Sequence, residues 1–201
     1  HHLRSYPLSM RSNFVSLLSL AFAPVNSFLA PRRFLQHTAL SVKVGDQIAD
    51  VTLFEGKPDY EKAEEVNLKE LCEGRTVVIF AVPGAFTPGC SKSHLPSYIE
   101  AKDALKAKGV DEIVCTATND PYVMEAWGAD QEASGIRMLS DKEAKLCRAL
   151  GVAKESDVAV RSQRYALVVK NGVVSHYFPA TTPEGEPFSS NTYAPSVLEV
   201  L

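Results

Sequence analysis

The chain is poor in cysteine and has none of the spacings that give cysteine a structural role. Its four thiols are Cys72, Cys90, Cys115 and Cys147, and no two form a Cys-x-x-Cys pair. That argues against dithiol exchange through a local pair. No cysteine and histidine group has zinc-site spacing. Four scattered thiols among 201 residues do not suggest a disulfide scaffold either. Long apolar runs are missing: none reaches the roughly 18 residues that a membrane span needs. There is no internal repeat and no low-complexity tract. Acidic residues are absent from positions 1–45, which carry Arg4, Arg11, Arg32, Arg33 and Lys43. From Asp46 onward sixteen basic residues face twenty-four acidic ones, a formal charge of −8. So acidic a domain argues against nucleic-acid binding.

What is there begins with an acid-free, arginine-bearing leader over residues 1–40, which reads as a targeting segment. Met10 is a candidate start, with Arg11 as a short positive region. Phe14 to Ala23 (FVSLLSLAFA) is an apolar stretch of signal-peptide length, and VNSFLAPRRFLQHTAL follows it. A signal-like part before a transit-like part resembles the two-part plastid presequences of algae with complex plastids, and Ala21-Phe22-Ala23-Pro24 adds to the resemblance. A mitochondrial presequence or a cytoplasmic protein with an unstructured tail are the alternatives.

An ordered domain is expected over residues 41–201. Lys43 to Glu55 reads as strand, turn and strand. Asn67 is placed to cap a short helix through Cys72, stopped by Gly74. Thr76 to Val82 (TVVIFAV) is a continuous β-branched and apolar run, as expected of a central strand covered on both faces. Helical spacing follows over Tyr98 to Lys108, a strand over Ile113 to Ala117, a helix over Pro121 to Ala129 and a strand over Ile136 to Leu139. Asp141 is expected to cap a helix through Leu150. Two strands, Arg164 to Lys170 and Val173 to Phe178, flank Asn171-Gly172, a strong hairpin signal. A last helix is expected over Ala194 to Leu201. The alternation imposes parallel strands with right-handed crossovers, and the hairpin adds antiparallel ones. The result is an α/β fold, a mixed central sheet flanked by helices in the thioredoxin-like layout.

The loop after the central strand reads Pro83-Gly84-Ala85-Phe86-Thr87-Pro88-Gly89-Cys90-Ser91. Thr87 before Pro88 fits a helix N-cap with proline at the first helical position. Cys90 then falls at the third, near unpaired N–H groups and the positive end of the helix dipole. The thiolate is the nucleophilic form of cysteine, and such surroundings favour it. Ligands of open α/β sheets also sit at the carboxyl edge of the strands. Cys90 is therefore the candidate nucleophile. A buried, inert thiol is the bland alternative.

PGAFTPGCS matches the Pro-x-x-x-Thr-x-x-Cys signature of the peroxiredoxins, and GAFTPGCSKSHLP resembles their type II, peroxiredoxin-5-like branch. The likeness runs from KVGD through NDPYVMEAW to VRSQRYALVVKNGVV, covering nearly the whole domain. It implies a thiol peroxidase acting on hydrogen peroxide and organic hydroperoxides. Cys90 corresponds to the peroxidatic cysteine, Thr87 to the hydroxyl that bonds thiolate and peroxide, and Pro83 to the residue that shields the sulfur. Arg137, in GIRMLSD, is matched to the distant arginine of the site. Arg161 and Arg164 are read as structural or solvated, and His94 as solvated. No cofactor or metal is implied, and the state is monomer or homodimer.

Cys115 lies 25 positions after Cys90, near the carboxyl end of the neighbouring strand. Plant-type members of the branch resolve the sulfenic acid at this spacing, so an internal Cys90–Cys115 disulfide is one expectation. Direct reduction by glutathione with glutaredoxin, or by thioredoxin, is the other. Cys72 and Cys147 read as packing residues. A redox-sensing or chaperone-like binding protein of the same fold is the competing functional reading.

Overall fold

The computed structural model describes residues 42–201. The leader read over residues 1–40, and the start of the domain at Ser41, lie outside them. Seven strands form one sheet in the order β2-β1-β5-β4-β3-β8-β9. These are β1 (Thr52–Glu55), β2 (Glu64–Asn67), β3 (Thr76–Ala81), β4 (Glu112–Ala117), β5 (Arg137–Ser140), β8 (Tyr165–Lys170) and β9 (Val173–Pro179). β3, β4 and β5 are parallel. β1 and β8 run antiparallel to β5 and β3. A separate hairpin pairs β6 (Ala153–Glu155) with β7 (Val160–Ser162).

β3 is central, as its apolar run requires: Val77 through Ala81 are all fully buried. Because successive side chains alternate between faces, this strand divides the interior into two cores. Val78 and Phe80 join Leu95, Tyr98 and Leu105 of α2 (Leu95–Ala107) and Met124 and Trp127 of α3 (Pro121–Asp130). Val77, Ile79 and Ala81 join Leu68 and Leu71 of α1 (Leu68–Cys72) and Leu146 of α4 (Lys145–Ala149). A final helix, α5 (Ala194–Leu198), adds Ala194 and Val197 to the first core. Cys90 and Cys115 lie in that first core, whereas Cys72 and Cys147 lie in the second. Burial pushes the Cys72 and Cys147 thiols up to about 12, as expected of packing residues.

Local chemistry explains the element ends. The Asn67 side chain accepts from Glu70 N–H at 3.0 Å and caps α1. Asn171 and Gly172 both take positive φ (49° and 77°), the geometry that a two-residue hairpin loop demands. Asp141 does cap α4, but from a distance: its carboxylate accepts from Leu146 N–H (3.0 Å) and Cys147 N–H (2.9 Å). Helix α4 therefore begins at Lys145, after Ala144 turns through φ 55°. The stretch from Lys43 supplies one strand rather than two, because Gln47 makes only an isolated bridge to Val173.

Candidate active site

The segment Val82 to Cys90 leaves β3 at its carboxyl edge and is fixed along its length. Arg161 Nη1 donates to the Pro83 carbonyl at 3.0 Å. Gly84 makes room for that arginine, since a Cβ there would lie 2.6 Å from Nη1. Ala85 N–H donates to Asn119 Oδ1 (2.9 Å), and the Thr87 hydroxyl donates to the Gly84 carbonyl (2.9 Å). Phe86 is held at φ 57° with 54% of its surface exposed. A bulky side chain in the left-handed region costs on the order of 1 kcal/mol or more, and such strain clusters at functional loops.

The helix starts at Pro88, and Ser91 N–H bonds the Thr87 carbonyl at 2.9 Å. Cys90 occupies the third helical position, as Thr87-Pro88 predicts, although the Thr87 hydroxyl bonds the Gly84 carbonyl and neither a helix N–H nor the Cys90 sulfur. Cys90 to His94 form a wide π turn in which Leu95 N–H reaches back to the Cys90 carbonyl. Pro96 has no N–H to continue a tight ladder here, and single π turns concentrate at functional sites. The turn is pinned from outside, because Trp127 Nε1 donates to Ser91 Oγ at 3.0 Å. The Cys90 sulfur sits beneath, with its residue only 1% exposed.

The arginine at this sulfur is Arg164, not Arg137. Arg164 Nη2 donates to Cys90 Sγ at 3.2 Å, and its Nη1 lies 2.6 Å from His94 Nδ1. Arg137 instead donates Nε and Nη2 to the two carboxylate oxygens of Glu55, at 3.1 and 2.5 Å. Strand direction is the cause. β5 is parallel to β3, so its first residue, Arg137, lies toward the amino ends of these strands, and it is two strands away. β8 is antiparallel to β3, with Tyr165 opposite Ala81, so the residue before it stands at the carboxyl edge beside Cys90. The hairpin at Asn171-Gly172 sets β8 only against β9; the pairing of β8 with β3, which brings Arg164 to the sulfur, has no local sequence signal.

His94 is also not solvated; it is fully buried. Its Nε2 faces the Thr192 carbonyl at 2.9 Å and Thr192 Oγ1 at 3.2 Å. The Tyr98 hydroxyl donates to the same carbonyl at 2.7 Å. Burial first, and then the Arg164 charge, push the His94 pKa down to about 3, against the raising effect of the Thr192 carbonyl.

Cys115 is fully buried in the middle of the sheet, paired with Phe80 of β3 and Met138 of β5. Burial, and then negative charge at Cys90, push its thiol well above the ordinary range, with Arg164 a partial offset. All four cysteines are free thiols. Among the described residues no group of three His, Cys, Asp or Glu side chains could hold a metal. None of the described helices is long and apolar enough to cross a membrane.

A single thiol, capped by a helix start, faced by a guanidinium and set at the carboxyl edge of a thioredoxin-like sheet, defines a cysteine-based redox protein. Comparison with known proteins narrows this class. Residues 43–194 match the family described as Redoxin. Peroxiredoxin-2E, chloroplastic, of Arabidopsis thaliana is 36% identical over 97% of this chain and 86% of its own length. Peroxiredoxin-2E-2, chloroplastic, of Oryza sativa is 45% identical over 67% of this chain, a match spanning 63% of the rice protein. Reduced Prx3 of Vibrio vulnificus in complex with H2O2 superposes with a TM-score of 0.70 at 39% identity, covering 79% of this chain and 98% of that one. Peroxiredoxin 5 of Alvinella pompejana gives a TM-score of 0.64 at 31% identity, covering 80% and 99%. The chain belongs to the Redoxin family and, within it, to the type II peroxiredoxins.

Proposed function

We propose that the protein is a thiol peroxidase that reduces hydrogen peroxide and alkyl hydroperoxides at Cys90. The observation that carries this reading is the 3.2 Å contact from Arg164 Nη2 to Cys90 Sγ. Among the described residues no carboxylate lies within ion-pair distance of Arg164. Its charge is therefore free for the sulfur and for a substrate oxygen.

In the reaction the Cys90 thiolate attacks one peroxide oxygen. The S–O bond forms as the O–O bond breaks, the sulfur loses two electrons, and the peroxide is reduced. The departing hydroxide or alkoxide takes up the proton released when the thiol ionised, giving water or an alcohol and Cys90 sulfenic acid. This product is the reversible rung of thiol oxidation. Arg164 stabilises negative charge on the sulfur before attack and on oxygen during it, and a donor fixed beforehand is the efficient way to do so. Thr87 serves as a hydroxyl at the sulfur's helix turn, and Pro83 shields the site from water with its carbonyl locked by Arg161. Thiol-dependent peroxide consumption tests the reading: wild-type protein turns over and Cys90→Ser does not. Equal consumption by the two would end it.

An external thiol, supplied by glutathione with glutaredoxin or by thioredoxin, is the reductant, and Cys115 is not. Cys115 is held as a thiol rather than a thiolate, which makes it a poor nucleophile toward the sulfenic acid. A Cys90–Cys115 peptide in peroxide-treated, non-reduced digests would restore the internal disulfide.

The acid-free leader and the two relatives described as chloroplastic support a plastid location. The leader fused to a fluorescent protein should then co-locate with chlorophyll; a mitochondrial or diffuse signal would refute this.

A further inference from the structure

A guanidinium carries only donors and keeps its charge at any ordinary pH. A group 2.6 Å from Arg164 Nη1 must therefore offer a lone pair, so His94 Nδ1 carries no proton. The ring hydrogen then sits on Nε2. There it meets the Thr192 carbonyl at 2.9 Å and Thr192 Oγ1 at 3.2 Å. The Thr192 hydroxyl spends its own hydrogen on the Ser189 carbonyl at 2.7 Å, which leaves its lone pairs for the ring. One tautomer satisfies every contact. The ring is also fixed by packing against Phe80, Tyr98 and Tyr193, with centroids 5.1, 5.7 and 5.2 Å away. The titratable or charged groups facing it are Arg164, Tyr98 and Tyr193, with Cys90 beyond the guanidinium.

We propose that His94 is a positioning residue for the chemistry at Cys90: its neutral ring, locked by Thr192, holds Arg164 so that Nη2 points at the sulfur. This rests on the peroxidase reading of Cys90 and Arg164. The choice of acceptor has a physical reason. A carboxylate in the same place would hold the guanidinium more strongly, yet would compete with the thiolate for its charge. A neutral imidazole fixes the direction and leaves the charge unspent. The buried strap around Thr192 thereby becomes part of the site, although it touches no reacting atom.

Two isosteres separate the two halves of the ring. His94→Asn keeps an acceptor near the Nδ1 position, and His94→Gln keeps a donor near the Nε2 position. The rate constant of the full chain with hydrogen peroxide should fall about tenfold or more in His94→Gln, and stay within about threefold of wild type in His94→Asn. In an Arg164→Gln background, His94→Gln should cause no further loss. Equal losses in the two isosteres, or a further loss in that background, would overturn the proposal. Nitrogen-15 NMR of the wild-type imidazole covers variants that fail to fold. It should report the neutral Nε2–H form down to about pH 5, given the buried, cation-facing site; an Nδ1–H or cationic ring there would overturn it equally. A wild-type protein inert to peroxide would instead sink the reading on which the proposal rests.

Discussion

Acid should destabilise this protein through His94 in a window set by one buried ring. An unfolded histidine titrates near its ordinary value of 6.5, whereas the folded ring is held to about 3. Between those values the unfolded chain binds a proton that the native state refuses, so stability falls as pH drops through 6.5 toward 3. Linkage sets the loss from this residue at about 1 kcal/mol at about pH 5.5 and about 2–3 kcal/mol at about pH 4.5, relative to neutral pH. Against a total of roughly 5–15 kcal/mol for a typical domain, that is a large share. Asp141 acts in the opposite sense, because burial raises its pKa despite the backbone N–H groups it accepts. A direct wild-type curve therefore mixes the two. The difference between wild type and His94→Gln isolates the histidine, since Asp141 is common to both. Urea unfolding at a series of pH values gives this difference. The gap between the two proteins should narrow as pH falls, along the slope above. A gap that stays constant between about pH 7 and 4.5 would mean that the ring is protonated in the native state.

Replacing Arg164 with glutamine should slow the peroxide step about 100-fold, the usual size for loss of one preorganised donor. Arg137→Gln should leave that step unchanged and cost about 1 kcal/mol in urea unfolding, through the half-buried pair with Glu55; stopped-flow rates for the two variants decide between the arginines. Cys115→Ser should keep its steady-state turnover with glutathione and glutaredoxin within about twofold of wild type, the level of change expected for a buried near-isosteric swap; collapse of that turnover would return Cys115 to the mechanism. Gly56→Ala should destabilise the fold by about 2–3 kcal/mol, because its Cβ would lie 2.2 Å from the backbone oxygen of Pro121, which cannot swing away. A thermal melt unchanged from wild type would refute that last expectation.

The central strand, the hairpin and the thiol were legible because each is a local signal. A run such as Thr76 to Val82 admits few structures, and the two positive-φ positions of Asn171-Gly172 suit few residue pairs other than this one. The capped loop likewise placed Cys90 from eight neighbouring residues. The arginine was not legible by the same means. Arg137 and Arg164 both stand at a strand's beginning, and only the strand's direction relative to β3 decides which one meets the sulfur. His94 is not legible as a buried residue because much of what covers it comes from Thr192 and Tyr193, 98 and 99 positions along the chain, and not from its own helix alone. The short strands β2, β6 and β7 carry charged residues and little alternation, and pairing partners rather than propensity create them.

Trp127 is the chain's single indole, and its ring nitrogen grips the serine next to Cys90. Emission from the protein therefore comes from one fluorophore tied to the turn that carries the sulfur. A rearrangement of that turn would strain or break this tether and change the surroundings of the indole. Intrinsic fluorescence is therefore the label-free signal expected to change if Cys90 oxidation rearranges its turn.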